Sequence, residues 1–269
     1  MTPTFPSPAW LVGCGNMAGA MVEGWRAAGV DLGGVTVIRP SATPVTGVRT
    51  VTSFPAEAPR FVMLGVKPQK IDEVAPTLAP FVGEQTLLVS MLAGVTSESL
   101  RQRFPDAKAI VRVMPNLPVS ERAGVTALYS DDVNDDDRGV IEELMGALGL
   151  APWCADEVSF SAIGAVAGSG PAYIARFVDA MAKGGEGLGL APDLAAAIAV
   201  QTLVGTGAME AASGESMADL ARRVASPKGT TEEGLAVLDA DDGVQSLVDR
   251  MLAAAIRRGQ ELAAAARDN

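Results

Sequence analysis

The chain has 269 residues, of which 48% are apolar and 20% charged, with a formal net charge of −11 and no histidine. That is a folded, globular composition with room for two domains. An acidic chain without a long basic cluster argues against nucleic acid or an anionic membrane as partner. The missing histidine removes Ser-His-Asp hydrolases, His-dependent dehydrogenases and the usual histidine zinc sites. Cys14 and Cys154, the two cysteines, have no metal-ligand spacing, and no metal site is expected. Neither Tyr129 nor Tyr173 has a lysine four residues later, so a Tyr-Lys proton donor is absent too. No apolar run is expected to span a membrane, since charges, Gly and Pro interrupt each candidate. Residues 1–8 lack the basic start and apolar block of a signal peptide and read as a short disordered lead, which suggests a cytoplasmic protein.

The first apolar run, Ala9-Trp10-Leu11-Val12, stops at a glycine. From that glycine the chain reads Gly13-Cys14-Gly15-Asn16-Met17-Ala18, a G-x-G-x-x-A pattern, and a helix is predicted over 16–28. In such a turn the first glycine allows the tight bend, the second lets backbone approach a pyrophosphate, and a small third residue packs helix on strand. The helix start offers free N–H groups to phosphate. The alternative is a strand-to-helix turn without a ligand.

The second run, Val35-Thr36-Val37-Ile38, ends in Arg39-Pro40-Ser41. An acid that would hold the ribose hydroxyls of NAD is absent there. Arg39 can pair with a 2′-phosphate and Ser41 can hydrogen-bond it, which favours NADP over NAD. The stretch 40–48 carries Pro40, Thr43, Pro44, Thr46 and Gly47 and is expected to form a loop or truncated helix rather than a crossover helix.

Further runs at Phe61-Val62-Met63-Leu64-Gly65-Val66, Leu87-Leu88-Val89-Ser90 and Ala109-Ile110-Val111-Arg112-Val113 are apolar on both faces, as buried parallel strands are. Helices are predicted over 97–103 and 134–148, the latter with Asp135, Asp136 and Asp137 in its first turn. Beyond about residue 155 the chain turns to Ala, Leu, Gly, Glu and Met at helical spacing. Helices are predicted over 157–167, 171–188, 192–213, 216–224, 231–239 and 243–266. The fold class expected is therefore α/β: a Rossmann-type doubly wound sheet over 1–155, then an all-α domain over 156–269 that also forms a homodimer.

Four more motifs are specific: Val66-Lys67-Pro68-Gln69, Arg112-Val113-Met114-Pro115-Asn116, Gly168-Ser169-Gly170-Pro171-Ala172-Tyr173 and Ser226-Pro227-Lys228-Gly229-Thr230-Thr231. Together with Gly15-Asn16-Met17 their order and spacing resemble the pyrroline-5-carboxylate reductase family over nearly the whole chain. The resemblance implies reduction of 1-pyrroline-5-carboxylate to L-proline, the last step of proline biosynthesis, with NADPH as cofactor and NADH possible. It implies that Val12, Gly13, Cys14, Gly15, Asn16 and Met17 hold the cofactor phosphates, with Arg39 and Ser41 near the adenosine ribose. Gly65, Val66, Lys67, Pro68, Met91, Leu92 and Ala93 would line the nicotinamide side. Ser226, Gly229, Thr230 and Thr231 would hold the ring and its carboxylate, and a site can draw on both chains of a dimer. Glu157 is a further candidate for substrate contact, or else an exposed carboxylate in a first helical turn.

The chemistry suits a chain without histidine. A cyclic imine is basic enough to bind already protonated, so a hydroxyl that orients its nitrogen suffices. Thr231 is the candidate for that hydroxyl; its structural alternative is the N-cap of the adjoining helix. Consecutive amides at Gly229, Thr230 and Thr231 would suit a carboxylate. Arg112 reads as the partner of an acid, and Met17 and Met21 as core.

Departures from the family pattern are Lys228 in place of a glycine, Ala167 in place of a serine, Gly164 in place of a threonine, Thr52-Ser53 in place of an Asp-Asn pair, and Arg222-Arg223 in place of a polar pair. They leave open another cyclic imine as substrate, or a module that binds NADPH without turnover. A β-hydroxyacid dehydrogenase would carry a lysine four residues after Gly170, where Ile174 stands.

Overall fold

The computed structural model describes residues 3–265. Its strands are β1 (Ala9–Val12), β2 (Val35–Ile38), β3 (Arg49–Val51), β4 (Phe61–Leu64), β5 (Leu87–Ser90), β6 (Ala109–Pro115), β7 (Gly124–Tyr129) and β8 (Gly149–Leu150). The helices are α1 (Asn16–Ala27), α2 (Ile71–Leu78), α3 (Ser97–Arg103), α4 (Asp135–Gly146), α5 (Glu157–Ile163), α6 (Gly170–Gly187), α7 (Pro192–Ser213), α8 (Met217–Val224), α9 (Thr230–Leu238) and α10 (Val244–Ala265).

The strands form one sheet in the order β3-β2-β1-β4-β5-β6-β7-β8. All neighbours are parallel except β6 and β7. The apolar runs make sense as strands buried on both faces. Phe61 and Met63 enter a core on one face with Met21, Trp25 and Leu144, while Val62 and Leu64 enter the other with Leu78, Leu100 and Phe104. Each such side chain, fully buried, contributes about 1.5–3 kcal/mol. Trp25 of α1 also donates its indole N–H to the Leu144 carbonyl of α4 at 2.7 Å, so the two helices on that face are pinned by a satisfied polar contact.

The order reverses beside β1, which lies between β2 and β4. A crevice at that point, outside the carboxyl ends of the strands, is where doubly wound sheets bind ligands. Residues 40–48 form no helix and run straight into β3, as their prolines require. Four elements have no clear sequence signal: the edge strands β3 and β8, the antiparallel β7, and α2, which contains Pro76. The expected disordered lead is ordered from its third residue on. Phe5 is buried, with its ring edge-on to Trp25 and Phe61 at centroid distances of 5.0 and 5.2 Å.

The chain divides into two compact units, Met1–Ser169 together with Ala255–Asn269, and Gly170–Ala254. The first therefore extends past the boundary expected at 155/156. The reason is local: Phe160 of α5 is buried against Tyr129 and Ala127 of β7, and Asn116 after β6 donates to the Ala167 carbonyl at 3.0 Å. Between α5 and α6 lies a π-helical turn, Gly164–Gly168, and Pro171 sits at the start of α6 as its fixed φ favours.

In the second unit α6 and α7 pack through Val178, Ala182 and Ala199. α7 starts on Pro192 and stops at Gly214, whose φ is +66°. Contrary to the sequence expectation, two stretches, Glu157–Gly187 and Pro192–Ser213, are long and apolar enough by length and composition to cross a membrane. Small residues lift their mean hydropathy, and the first is interrupted by the π turn. Several of their large apolar side chains, among them Phe177, Met181, Ile198 and Val204, are exposed in the single chain.

Candidate active site

At the mouth of β1 the expected phosphate loop is built as its glycines require. Gly13 has φ of +84°, and a Cβ there would lie 2.9 Å from the Gly65 carbonyl oxygen. Its N–H is taken by the Ile38 carbonyl at 2.8 Å, and the Gly65 N–H by the Val12 carbonyl at 2.8 Å, so these amides fix the loop and are not offered to a ligand. Gly15 is different. It caps α1 without any side-chain hydrogen bond, and a Cβ on it would meet open space. Asn16 is exposed, Met17 partly buried on the core, and Ala18 buried against the strand. The uncapped N–H groups of α1 thus face an open approach, which fits a dinucleotide pyrophosphate.

Cys14 points inward and is buried. Burial pushes its thiol up, while the Arg39 charge pulls the other way. Arg39 directly follows β2, and its backbone N–H donates to the Val51 carbonyl at 3.0 Å. Ser41 lies exposed two residues on, and its hydroxyl accepts from Thr43 Oγ1 at 3.1 Å. At the ends of β4 and β5, Gly65 and Val66 are partly buried, Lys67 exposed, and Pro68 opens a short 3-10 turn. Leu92 is buried, its amide donating to Ser90 Oγ at 3.3 Å, and leaves Met91 partly buried and Ala93 exposed. The residues expected to meet a dinucleotide thus lie along the carboxyl edge from β2 to β5.

Beyond β5 and β6 the first unit holds a cavity of about 490 Å³. Ala93 and Gly94, Arg112 and Met114 of β6, and Glu157 line it. Arg112 is buried and donates to the Glu157 carboxylate, with its guanidinium 4.6 Å from the Phe160 ring. The acid expected for Arg112 is thus Glu157, which is itself half-exposed to the cavity. Ala255, Ile256, Gly259 and Gln260 of α10 line it as well. Sequence reasoning missed these, because 243–266 reads as one uniform helix and only folding brings its end to the first unit.

The second unit carries the Ser226 loop. Gly229, not Thr231, is the N-cap of α9, so a capping role for Thr231 falls away. The Gly229 N–H is also committed, to the Ser226 carbonyl at 2.9 Å, which removes it from the set of free amides. Lys228 stands in the left-handed region with φ of 58°, and its N–H donates to the Glu232 carboxylate at 2.5 Å. Among the described residues, the Thr230 and Thr231 amides have no backbone partner before the helix ladder begins. The Thr231 side chain is partly buried in the first turn. Two free amides and a hydroxyl at a helix start can hold a small carboxylate and a polar nitrogen. Among the described residues no group of His, Cys, Asp and Glu forms a metal site.

A doubly wound sheet with an open glycine loop at its switch point, joined to a helical unit, defines a dinucleotide-binding oxidoreductase. A family model for pyrroline-5-carboxylate reductase dimerisation matches residues 157–262. Pyrroline-5-carboxylate reductase of Pseudomonas aeruginosa is 36% identical over 262 residues, covering 94% of this chain and 96% of that protein. The enzyme of that name from Pisum sativum is 34% identical, covering 94% of each. The chain belongs to the pyrroline-5-carboxylate reductase family. Its fold matches a solved pyrroline-5-carboxylate reductase of Coxiella burnetii with a TM-score of 0.88 and 33% identity, covering 96% of this chain and 99% of that one. A Plasmodium falciparum pyrroline carboxylate reductase with NADP bound matches in fold with a TM-score of 0.82 at 23% identity, covering 96% of this chain and 98% of that one. The matched dimerisation region contains both long apolar helical stretches.

Proposed function

We propose that the protein reduces 1-pyrroline-5-carboxylate to L-proline with NADPH, as a cytoplasmic homodimer or an oligomer built from dimers. The observation that carries the substrate is kinship: relatives aligned along 94% of the chain bear the name of this reductase. The cofactor rests on the open Gly15 approach, the uncapped α1 start and Arg39 at the end of β2. Arg39 and Ser41 would hold a 2′-phosphate, and the α1 amides the pyrophosphate.

When bound, the reduced cofactor supplies the hydride that the imine carbon accepts. The protein has to bind, orient and balance charge. The Thr230 and Thr231 amides, at the positive end of α9, hold the ring carboxylate. The Thr231 hydroxyl hydrogen-bonds the ring nitrogen and so fixes which face meets the hydride. The nitrogen arrives protonated, so no histidine is needed. Glu157, paired with buried Arg112, lines the cavity of the first unit. Exposed Phe177, Met181, Ile198 and Val204 lie in the matched dimerisation region and support burial against a second copy.

The test is NADPH oxidation followed by absorbance with 1-pyrroline-5-carboxylate, with NADH in parallel and proline identified as product. Turnover to proline is the expected result. A protein that binds NADPH but turns over no 1-pyrroline-5-carboxylate overturns the reading.

A further inference from the structure

We propose that Gly164, by leaving room for the Met114 thioether to lie against the backbone, sets the depth of the cavity in the first unit and so the size of the cyclic imine it accepts. The proposal rests on the imine-reductase reading above and adds a specificity-determining pair to it.

The steric observation is direct. A Cβ built on Gly164 would lie 2.2 Å from Met114 Sδ and 3.0 Å from its Cε. Any side chain at 164 therefore has to displace something. The backbone of the π turn is tied to β6, because Asn116 Nδ2 donates to the Ala167 carbonyl at 3.0 Å while Asn116 Oδ1 accepts from the Val125 N–H at 2.8 Å. Asn116 is itself buried. The flexible thioether is the part that yields. On the side of Ala127, Tyr129 and Phe160 it is already packed. The open direction is the cavity, which Met114 and Gly164 both line.

The position of that cavity links it to substrate. With the pyrophosphate at the α1 start and the 2′-phosphate at the end of β2, the nicotinamide end of the dinucleotide extends the opposite way, over β4 and β5. Ala93 and Gly94, just after β5, line the cavity, as does Glu157.

The experiment measures kcat and KM of the full-length wild type and of Gly164→Ala, Met114→Ala and the double variant. The probes are five-membered and six-membered cyclic imine carboxylates at saturating NADPH, with NADPH affinity and melting temperature read alongside. Gly164→Ala is expected to lower kcat/KM about tenfold more for the larger ring than for the smaller, a difference of the size one methylene makes in a tight apolar site. NADPH affinity should not change, and Met114→Ala in the double variant should restore the larger ring. Should Gly164→Ala fail to fold, Met114→Ala alone is expected to favour the larger ring. An unchanged ring preference in the folded variants of an active enzyme overturns the proposal and leaves the reductase reading standing. A wild type that reduces neither ring overturns the reductase reading first, and the proposal with it.

Discussion

Gly13 and Gly65 face each other so closely that neither has space for a methyl group: a Cβ on Gly65 would sit 2.8 Å from the Gly13 carbonyl oxygen, and one on Gly13 2.9 Å from the Gly65 carbonyl oxygen. Gly65→Ala should therefore push the phosphate loop off β4. We expect NADPH binding to weaken by about tenfold or more, near 1.4 kcal/mol, with a lower melting temperature. Gly15→Ala is the contrast. Its Cβ meets no protein atom, so the melting temperature should hold while NADPH binding weakens. Isothermal titration and thermal melting separate the two. NADPH affinity unchanged from the wild type in both variants would refute the assignment of the loop.

Arg39→Ala should weaken NADPH binding by about tenfold or more and leave NADH nearly untouched, since a charge-assisted bond to a 2′-phosphate has no counterpart in NADH. Parallel loss for both cofactors would mean that Arg39 serves the loop through its charge near Cys14 instead.

Tyr129 offers a pH signature of the folded core. The hydrogen bond of its hydroxyl to Asp131, then burial, push its pKa up to about 12. The unfolded phenol titrates near 10, so the fold favours the protonated form. The stability this gives is complete below about pH 10 and is lost as the pH rises towards 12. In a Tyr173→Phe background Tyr129 is the sole tyrosine, and its ultraviolet phenolate band should appear near pH 12. Asp131→Asn should move that titration down. A Tyr129 titration unmoved by Asp131→Asn would assign the shift to burial instead.

Lys228 holds a left-handed backbone conformation that costs a non-glycine residue about 1–2 kcal/mol. Lys228→Gly removes that cost, offset in part by the freer unfolded chain, and should stabilise the protein by up to about 1 kcal/mol. The N–H bond to Glu232 is kept in the variant. Melting temperature should rise, with KM for the imine unchanged. A higher KM would give the lysine side chain a role in substrate capture.

The sheet is legible in the sequence where physics acts locally. Phe61-Val62-Met63-Leu64 is apolar on both faces and is a central parallel strand; Gly13 and Gly15 signal their turn by composition alone. β3 and β8 are not legible, being short edge strands with exposed residues, nor is β7, because its direction is set by its pairing with β6. Within the site, the sequence points to an acid for Arg112, and Glu157 is that acid. An N-cap at Thr231 is misplaced by two residues because Gly229 carries no side chain to advertise a cap. The cavity wall from Ile256 and Gln260 has no local signal whatever, since it depends on where a distant helix returns.

That return has a consequence for how the protein is made. Residues 170–254 are spliced into the first unit, whose remaining segment, from Ala255 onward, is translated only after the whole second unit. The strands with the phosphate loop can assemble on the ribosome early. The wall formed by Ala255, Ile256, Gly259 and Gln260 cannot. A nascent chain thus has the strands and glycine loop proposed to hold a dinucleotide before it has the complete cavity lining, and dinucleotide binding should appear first as synthesis proceeds.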